Sequence, residues 1–281
     1  MSDLQSVSIG GLMVGPTYPV RVMSVVNLSP ESFYKSAVAD SIEKFRQMVK
    51  MAAEEGADFV DIGGASTAPK NVYGTPDITM DEELGRVTQA LESIKVSEYP
   101  PLSIDTTSSR VAEAALNLGV SMVNDISGLH ADPNMAGFVA DQGVPVVLMA
   151  NCGEPCNSVQ AAVQSLRDSL YIAQGAGIEP GKIIVDPGIG FGKPPEVDIA
   201  MLKELDLFAE LGHPLLVGVS RKAFIGHILE QPKPDDRLIG SLVAAAIAVL
   251  RGANVIRTHD TGETRIAVQM SEVLRVSTGS D

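Results

Sequence analysis

One rhythm limits what this chain can fold into more than any other feature. A short β-branched run, a polar or glycine-rich loop and an amphipathic helix follow one another eight times. The runs occupy 22–26, 59–62, 102–104, 121–123, 144–149, 183–185, 215–219 and 255–256. Between them the apolar spacing becomes helical: Phe45, Met48, Val49 and Ala52 line one face of 42–55, and 111–118 repeats the pattern. Gly56, Gly119, Gly143 and Gly252 stand where helices should end in a left-handed cap. Near-continuous apolar strands alternating with helices require a parallel sheet covered on its faces. Eight such units in 281 residues predict a single-domain α/β fold, a (β/α)8 TIM barrel over 21–281, with residues 1–20 forming a hairpin or cover at its bottom end. An open, doubly wound sheet is the alternative. It would more often show a glycine fingerprint after the first strand, where Asn27-Leu28-Ser29-Pro30 stands instead. Apolar residues make up 45% of the chain; with no Trp and 4% aromatics, the core is built from aliphatic side chains.

The partners are bounded by charge and by cysteines. Lys and Arg number 21 against 35 Asp and Glu, a net charge of −14, which argues against a nucleic-acid scaffold but leaves room for a local basic pocket. Cys152 and Cys156 are half of a zinc site at best and read as free thiols suited to a reducing cytoplasm. Residues 1–11 have neither a basic start nor a long apolar run, so no signal peptide is expected. The apolar stretch Leu238–Leu250, bounded by Arg237 and Arg251, is too short to span a bilayer and reads as a buried helix.

A barrel of this kind carries its active site at the C-terminal ends of its strands. In strand order those ends hold Asn27; Asp61, Gly63, Gly64, Ser66 and Thr67; Asp105 and Thr106; Asn124 and Asp125; Met149 and Asn151; the run from Asp186 to Lys193; Ser220, Arg221 and Lys222; and Arg257, His259 and Asp260. Singly, such residues cap helices or satisfy loop backbone, as Thr106, Ser127, Asp125 and Asp61 could. Together they would converge on one mouth, where burying them without a ligand is costly. Asp105, Asn124 and Asp186 would face one another and could read a flat heterocycle edge, such as a pterin's, through paired hydrogen bonds. Lys222 could bond the ring carbonyl or a ring nitrogen, and Arg221 offers a planar face for stacking. Arg257 and His259 supply donors for phosphate, and Asn27 is a neutral oxygen ligand suited to Mg²⁺.

These segments resemble the dihydropteroate synthase family in their order along the chain. The residues from Val22 to Phe33 look like its opening motif, and Asp61-Ile62-Gly63-Gly64-Ala65-Ser66-Thr67-Ala68-Pro69 like its second. Ser103 to Thr106, Val123 to Asp125, Asp186 to Lys193, Gly218 to Lys222 and Arg257 to Asp260 continue the series. The resemblance implies a transferase of folate biosynthesis that joins a pterin-methyl diphosphate to an arylamine and releases pyrophosphate. Asp105, Asn124, Asp186 and Lys222 would then hold the pterin, with Met149, Phe191 and Gly218 lining the slot. Arg257 and His259, with Asn27 and Mg²⁺, would hold the pyrophosphate. Phe33, Thr67, Pro69 and Ser220 would shape the arylamine pocket. Of this set, Asp105, Asp186, Lys222, Arg257 and His259 are the candidate catalytic residues. A cytoplasmic homodimer is also implied, with 238–250 and 265–276 as the helices carrying surplus apolar residues.

Three places depart from the family pattern. Its second loop usually reads Gly-Gly-Glu-Ser-Thr-Arg-Pro, but Ala65 and Ala68 occupy the Glu and Arg places here, with Lys70 as a nearby cation. The first loop, Tyr34-Lys35-Ser36-Ala37, lacks the usual Asp-Gly-Gly ending, and Ala150-Asn151-Cys152-Gly153 replaces His-Met before a glycine. The alternatives are the same reaction with a larger arylamine of a methanopterin-type pathway, a pterin-dependent methyltransferase, and a non-catalytic pterin-binding paralogue.

Overall fold

The computed structural model describes residues 4–30, 34–66 and 78–275. Two short strands, β1 (Val7–Ile9) and β2 (Leu12–Val14), form an antiparallel hairpin. Eight parallel strands follow: β3 (Arg21–Asn27), β4 (Phe59–Gly63), β5 (Leu102–Asp105), β6 (Met122–Asp125), β7 (Val146–Met149), β8 (Ile183–Asp186), β9 (Leu216–Gly218) and β10 (Val255–Thr258). Their spatial order is β8-β7-β6-β5-β4-β3-β10-β9, and the parallel bridge Val185↔Leu215 joins the two ends into a ring. The helices are α1 (Ile42–Glu54), α2 (Met80–Glu92), α3 (Ser109–Asn117), α4 (Met135–Gln142), α5 (Val159–Ala176), α6 (Pro195–Lys203), α7 (Asp206–Ala209), α8 (Ala223–Ile228), α9 (Leu238–Leu250) and α10 (Thr261–Leu274). This is the TIM barrel that the eightfold rhythm predicts.

Strand pleating sorts the side chains into two cores. Outward residues such as Val22, Val60, Ile62, Leu102, Ile104, Val123, Leu148, Val185, Val217 and Ile256 pack under the helices. Inward residues Met23, Phe59, Met122, Val147, Ile184, Leu216 and Val255 form a second cluster with Val7, Ile9 and Val14 of the hairpin. The hairpin therefore closes one end of the barrel. Two residues further along each strand, the same inward parity brings Asp61, Asn124, Met149, Asp186, Gly218 and Arg257. Continuing it brings Asn27, Gly63 and Asp105. The barrel interior is thus apolar below and polar above.

Three expectations are corrected. The apolar stretch Leu238–Leu250 is a helix but is buried on one face only, because Ile239, Val243, Ile247 and Leu250 point away from the barrel and stay exposed. The strands run on through the polar residues that the sequence reading placed after them, because neighbouring backbones stay paired there: Asn27↔Gly63↔Asp105↔Asn124, and Met149↔Asp186. Main-chain ladder bonds hold these ends as strand whatever the side-chain polarity. Cys152 and Cys156 are not free thiols; they form a disulfide with Cα atoms 5.4 Å apart. A bend that pairs Cys152 with Glu154 returns the chain on itself, so a four-residue spacing falls within bridging range. The cysteines therefore lend no support to a reducing compartment. No described helix is long and apolar enough to cross a membrane.

Candidate active site

Asp61 organises the polar layer. Its carboxylate is fully buried, and Oδ2 accepts from Arg257 Nε at 2.7 Å and from Asn124 Nδ2 at 2.9 Å. Arg257 Nη2 also donates to Asp105 Oδ2 at 2.8 Å. Four side chains from β4, β5, β6 and β10 are thereby tied across the barrel. Burial opposes the Arg257 charge, but Asp61, Asp105 and Asp186 outweigh it and raise its pKa, so Arg257 is a fixed cation.

Asp186 ends β8 and begins a turn that returns the Gly188 amide to its Oδ1 at 2.8 Å. Burial raises its pKa, against the Gly188 N–H and the nearby charges of Lys222, Arg257 and Lys193. The turn needs its glycines. Gly190 has φ +79°, and a Cβ there would lie 2.6 Å from the Lys222 side chain. The Gly190 amide is held by buried Asp198 Oδ1 at 2.8 Å, and Lys193 folds back to the Gly188 carbonyl. Phe191 meets the Lys222 ammonium 4.0 Å from its ring centroid. Burial, Arg257 and Lys193 lower the Lys222 pKa to about 8, although Asp186 and Asp198 pull it upward. Met149 packs beside this turn, within 3.1 Å of where a Gly188 Cβ would stand.

His259 follows β10. Its Nδ1 lies 3.0 Å from Ser220 Oγ, and its ring meets Tyr34 edge-on at 5.2 Å. Although half-buried by area, it is ringed by charge. Burial and then Arg257, Lys222 and Arg221 push its pKa down to about 3, leaving a neutral imidazole. Arg221 is already committed within the protein. Nε and Nη2 form a fork on Asp260, with Nη2 2.6 Å from Oδ1, and its plane stacks 4.5 Å from the Tyr34 centroid. The stacking face read from the sequence is therefore covered by the first loop. Asn27 is half-buried at the end of β3, where a Cβ on the facing Gly63 would come 3.2 Å from its Oδ1. Gly218 pairs with Arg257 in the next strand, and a Cβ there would lie 3.7 Å from the Arg257 Cβ.

The fold therefore brings Asp105, Asn124, Met149, Asp186, Phe191, Gly218, Ser220, Lys222, Arg257 and His259 to one mouth, with Asn27 on its rim. Thr67, Phe33, Ala68, Pro69 and Lys70 lie outside the described residues. Thr106, Ser127 and Asp125 take local roles: Thr106 Oγ1 accepts the Ser108 amide, Ser127 Oγ that of Ala131, and Asp125 those of Ser127 and Leu129. Asn151 braces its own loop, its amide donating to Ser165 Oγ at 2.9 Å. The strand-end reading included Lys193 and Asp260 without giving them a role, took Asp61 for a possible structural residue, and missed Asp198 and the part played by Tyr34. For Asp61 a signal existed: it stands two residues before Gly63 and so shares the inward parity.

Against known proteins, the model of the family described as pterin binding enzyme matches residues 23–259. This chain belongs to the pterin-binding enzymes. The Bacillus subtilis dihydropteroate synthase is 36% identical over 256 residues, covering 90% of this chain and 88% of the relative. The Escherichia coli K12 dihydropteroate synthase is 34% identical over 261 residues, covering 90% of each. Among solved structures, the Xanthomonas albilineans dihydropteroate synthase with 4-aminobenzoic acid superposes with a TM-score of 0.86 at 35% identity, covering 97% of this chain and 99% of that one. The Coxiella burnetii dihydropteroate synthase in complex with pteroic acid gives 0.85 at 32%, covering 96% and 98%.

Proposed function

We propose that this protein condenses 6-hydroxymethyl-7,8-dihydropterin diphosphate with p-aminobenzoate and releases pyrophosphate, as a dihydropteroate synthase of folate biosynthesis. The observation that carries this reading is the inward polar layer, in which one buried carboxylate, Asp61, aligns an amide and a cation beside Asp105 and Asp186. A pterin edge offers the amino and ring N–H donors that such acceptors need. Relatives over 30% identical along nearly their whole length support it, and two solved ones hold 4-aminobenzoic acid and pteroic acid.

The residues divide the work by charge. Asp186 and Asp105 take ring donors, the Asn124 amide completes the edge, and Lys222 donates to the ring carbonyl or a ring nitrogen while protonated. Met149, Phe191 and Gly218 bound the flat slot. Arg257 faces the charge that builds on the departing diphosphate, and neutral His259 adds a hydrogen bond without competing for it. The bond from the exocyclic methylene carbon to the diphosphate oxygen breaks. The arylamine nitrogen bonds to that carbon and sheds a proton to solvent. Positioning and preorganised dipoles do this work, and no covalent enzyme intermediate is required. Ser220 borders the acceptor.

Asn27, whose Oδ1 faces Gly63 at the end of β3, is a neutral oxygen ligand that would hold a Mg²⁺ together with the substrate's diphosphate oxygens. When bound, that ion neutralises leaving-group charge. A diphosphate ester does not cross membranes unaided, so the enzyme works in the compartment where that ester is made, for which the cytoplasm is our reading. The apolar face formed by Ile239, Val243, Ile247 and Leu250 of α9, with Ile266, Met270 and Val273 of α10, is exposed and suits a homodimer. Pyrophosphate release with p-aminobenzoate and with larger arylamines tests the reaction. Turnover with p-aminobenzoate is expected, and release with none of the amines would overturn the proposal.

A further inference from the structure

Arg237 and Ser241 belong to neither the polar layer nor the substrate-facing loops, yet both close on Arg221. Arg237 is buried at the entry to α9, in a short turn spanning Pro234–Arg237. Its Nη1 donates to the Arg221 carbonyl at 3.0 Å, its Nε to the Gln231 carbonyl at 2.9 Å, and its Nη2 to the Pro232 carbonyl. Ser241 Oγ accepts the Arg221 amide at 2.8 Å and donates to the Arg237 carbonyl at 2.7 Å. Arg221 returns its own Nη1 to the carbonyls of Pro234 and Asp235 at 2.9 Å each. Both backbone polar groups of Arg221 are therefore held by α9 and its entry turn. The guanidinium of Arg237 lies flush on α8, since a Cβ at Gly226 would come 2.5 Å from its Nε.

Arg221 needs this grip because it has φ +55°, a left-handed conformation that costs any non-glycine residue. The turn sends its two neighbours to different partners: Ser220 to His259 Nδ1, and Lys222 onto Phe191. A buried cation whose only partners are carbonyls is an inefficient way to add stability, because desolvating it cancels much of the gain. A fork that fixes three carbonyls is an efficient way to hold a turn.

We propose that Arg237 and Ser241 are positioning residues for the condensation: they hold the left-handed turn at Arg221 that aims Ser220 and Lys222 into the barrel mouth. The functional half of this inference rests on the reaction proposed above. Without the clamp, Arg221 relaxes, and Lys222 leaves the enclosure formed by Phe191, Arg257, His259, Asp186, Asp198 and Lys193.

The test uses Ser241→Ala, which removes one hydroxyl, and Arg237→Met, which keeps the volume. The first readout is independent of turnover: the Lys222 amine is titrated by NMR in lysine-labelled protein. In the wild type, burial and Arg257 should lower it to about 8. In the variants it should move toward the ordinary lysine value of about 10.4. The second readout is kcat/KM for the arylamine, expected to fall roughly tenfold, the scale of one lost positioning hydrogen bond. A merely structural role lowers Tm and leaves the Lys222 titration where it was; that result overturns the proposal, as does a moved titration with unchanged kcat/KM. If wild-type protein turns over no arylamine, the reaction is wrong, and the NMR comparison alone decides the clamp. If Arg237→Met does not fold, Ser241→Ala carries both readouts.

Discussion

Replacing Asp61 by Asn separates the organiser of the site from ordinary scaffolding. The side chain is fully buried and paired with an Arg257 that is 15% exposed. Asparagine keeps the shape and one acceptor oxygen but loses the charge. A hydrogen bond to a charged group contributes about 1.5–3 kcal/mol, and breaking a buried pair completely costs about 3–5 kcal/mol. Arg257 retains Asp105, so the expected loss lies near the smaller figure, about 2–3 kcal/mol. At roughly 2–4 °C per kcal/mol for a domain of this class, Tm should drop by about 4–12 °C. Asn124 then faces an amide in place of a carboxylate and loses its preferred orientation, so pterin affinity should fall on the order of tenfold, the equivalent of about 1.4 kcal/mol. Calorimetric titration with the bare pterin alcohol, alongside thermal unfolding, reads both effects. Asp125→Ala is the control, because the hydrogen bonds of Asp125 go to Ser127, through its side chain and its amide, and to the Leu129 amide, within its own turn. It should cost stability and leave affinity alone. An Asp61→Asn protein that unfolds early but binds pterin like the wild type would refute the assignment of Asp61 to the site.

Three other outcomes follow from the same geometry. Asp186→Ala should abolish measurable pterin binding, since the paired donors of the ring lose their acceptor; unchanged affinity by calorimetry would remove Asp186 from the slot. Arg257→Ala should weaken both pterin ligands, because Arg257 also holds Asp105, but it should weaken the diphosphate ester far more than the alcohol. Equal losses would make Arg257 a scaffold residue alone. The pH profile of kcat/KM should fall on the alkaline side near pH 8, as Lys222 loses the proton it donates. On the acid side it should fall above the ordinary aspartate value of about 3.9, because burial raises Asp186. A profile flat to pH 10 would show that the Lys222 proton is not used.

The fold was legible because its period is robust. Eight apolar runs at strand length and glycines at helix ends survive small errors of boundary, and Gly56, Gly119, Gly143 and Gly252 all adopt positive φ. The mouth residues were legible because a parallel barrel puts its strand ends together. What escaped is what depends on pairing across the ring. Asp61 resembles any strand aspartate until Arg257, 196 positions away, is brought to 2.7 Å. Arg221 stands next to Lys222 in sequence, but the left-handed turn directs it to Asp260 and Tyr34. The Cys152 and Cys156 spacing is compatible with thiols or a bridge, and only the bend between them decides. Arg237 bounds an apolar stretch in the sequence; its role as a clamp depends on carbonyl directions that no residue pattern encodes.

The inward polar layer is proposed as the pterin slot, and a crystal structure of the protein with pteroate decides it. The pterin edge should lie against Asp105, Asn124 and Asp186, with Lys222 and Phe191 beside the ring and the aminobenzoate arm passing Ser220 toward the mouth. A pterin bound elsewhere, with the Asp61–Arg257–Asp105 network unapproached by the ring, would contradict it.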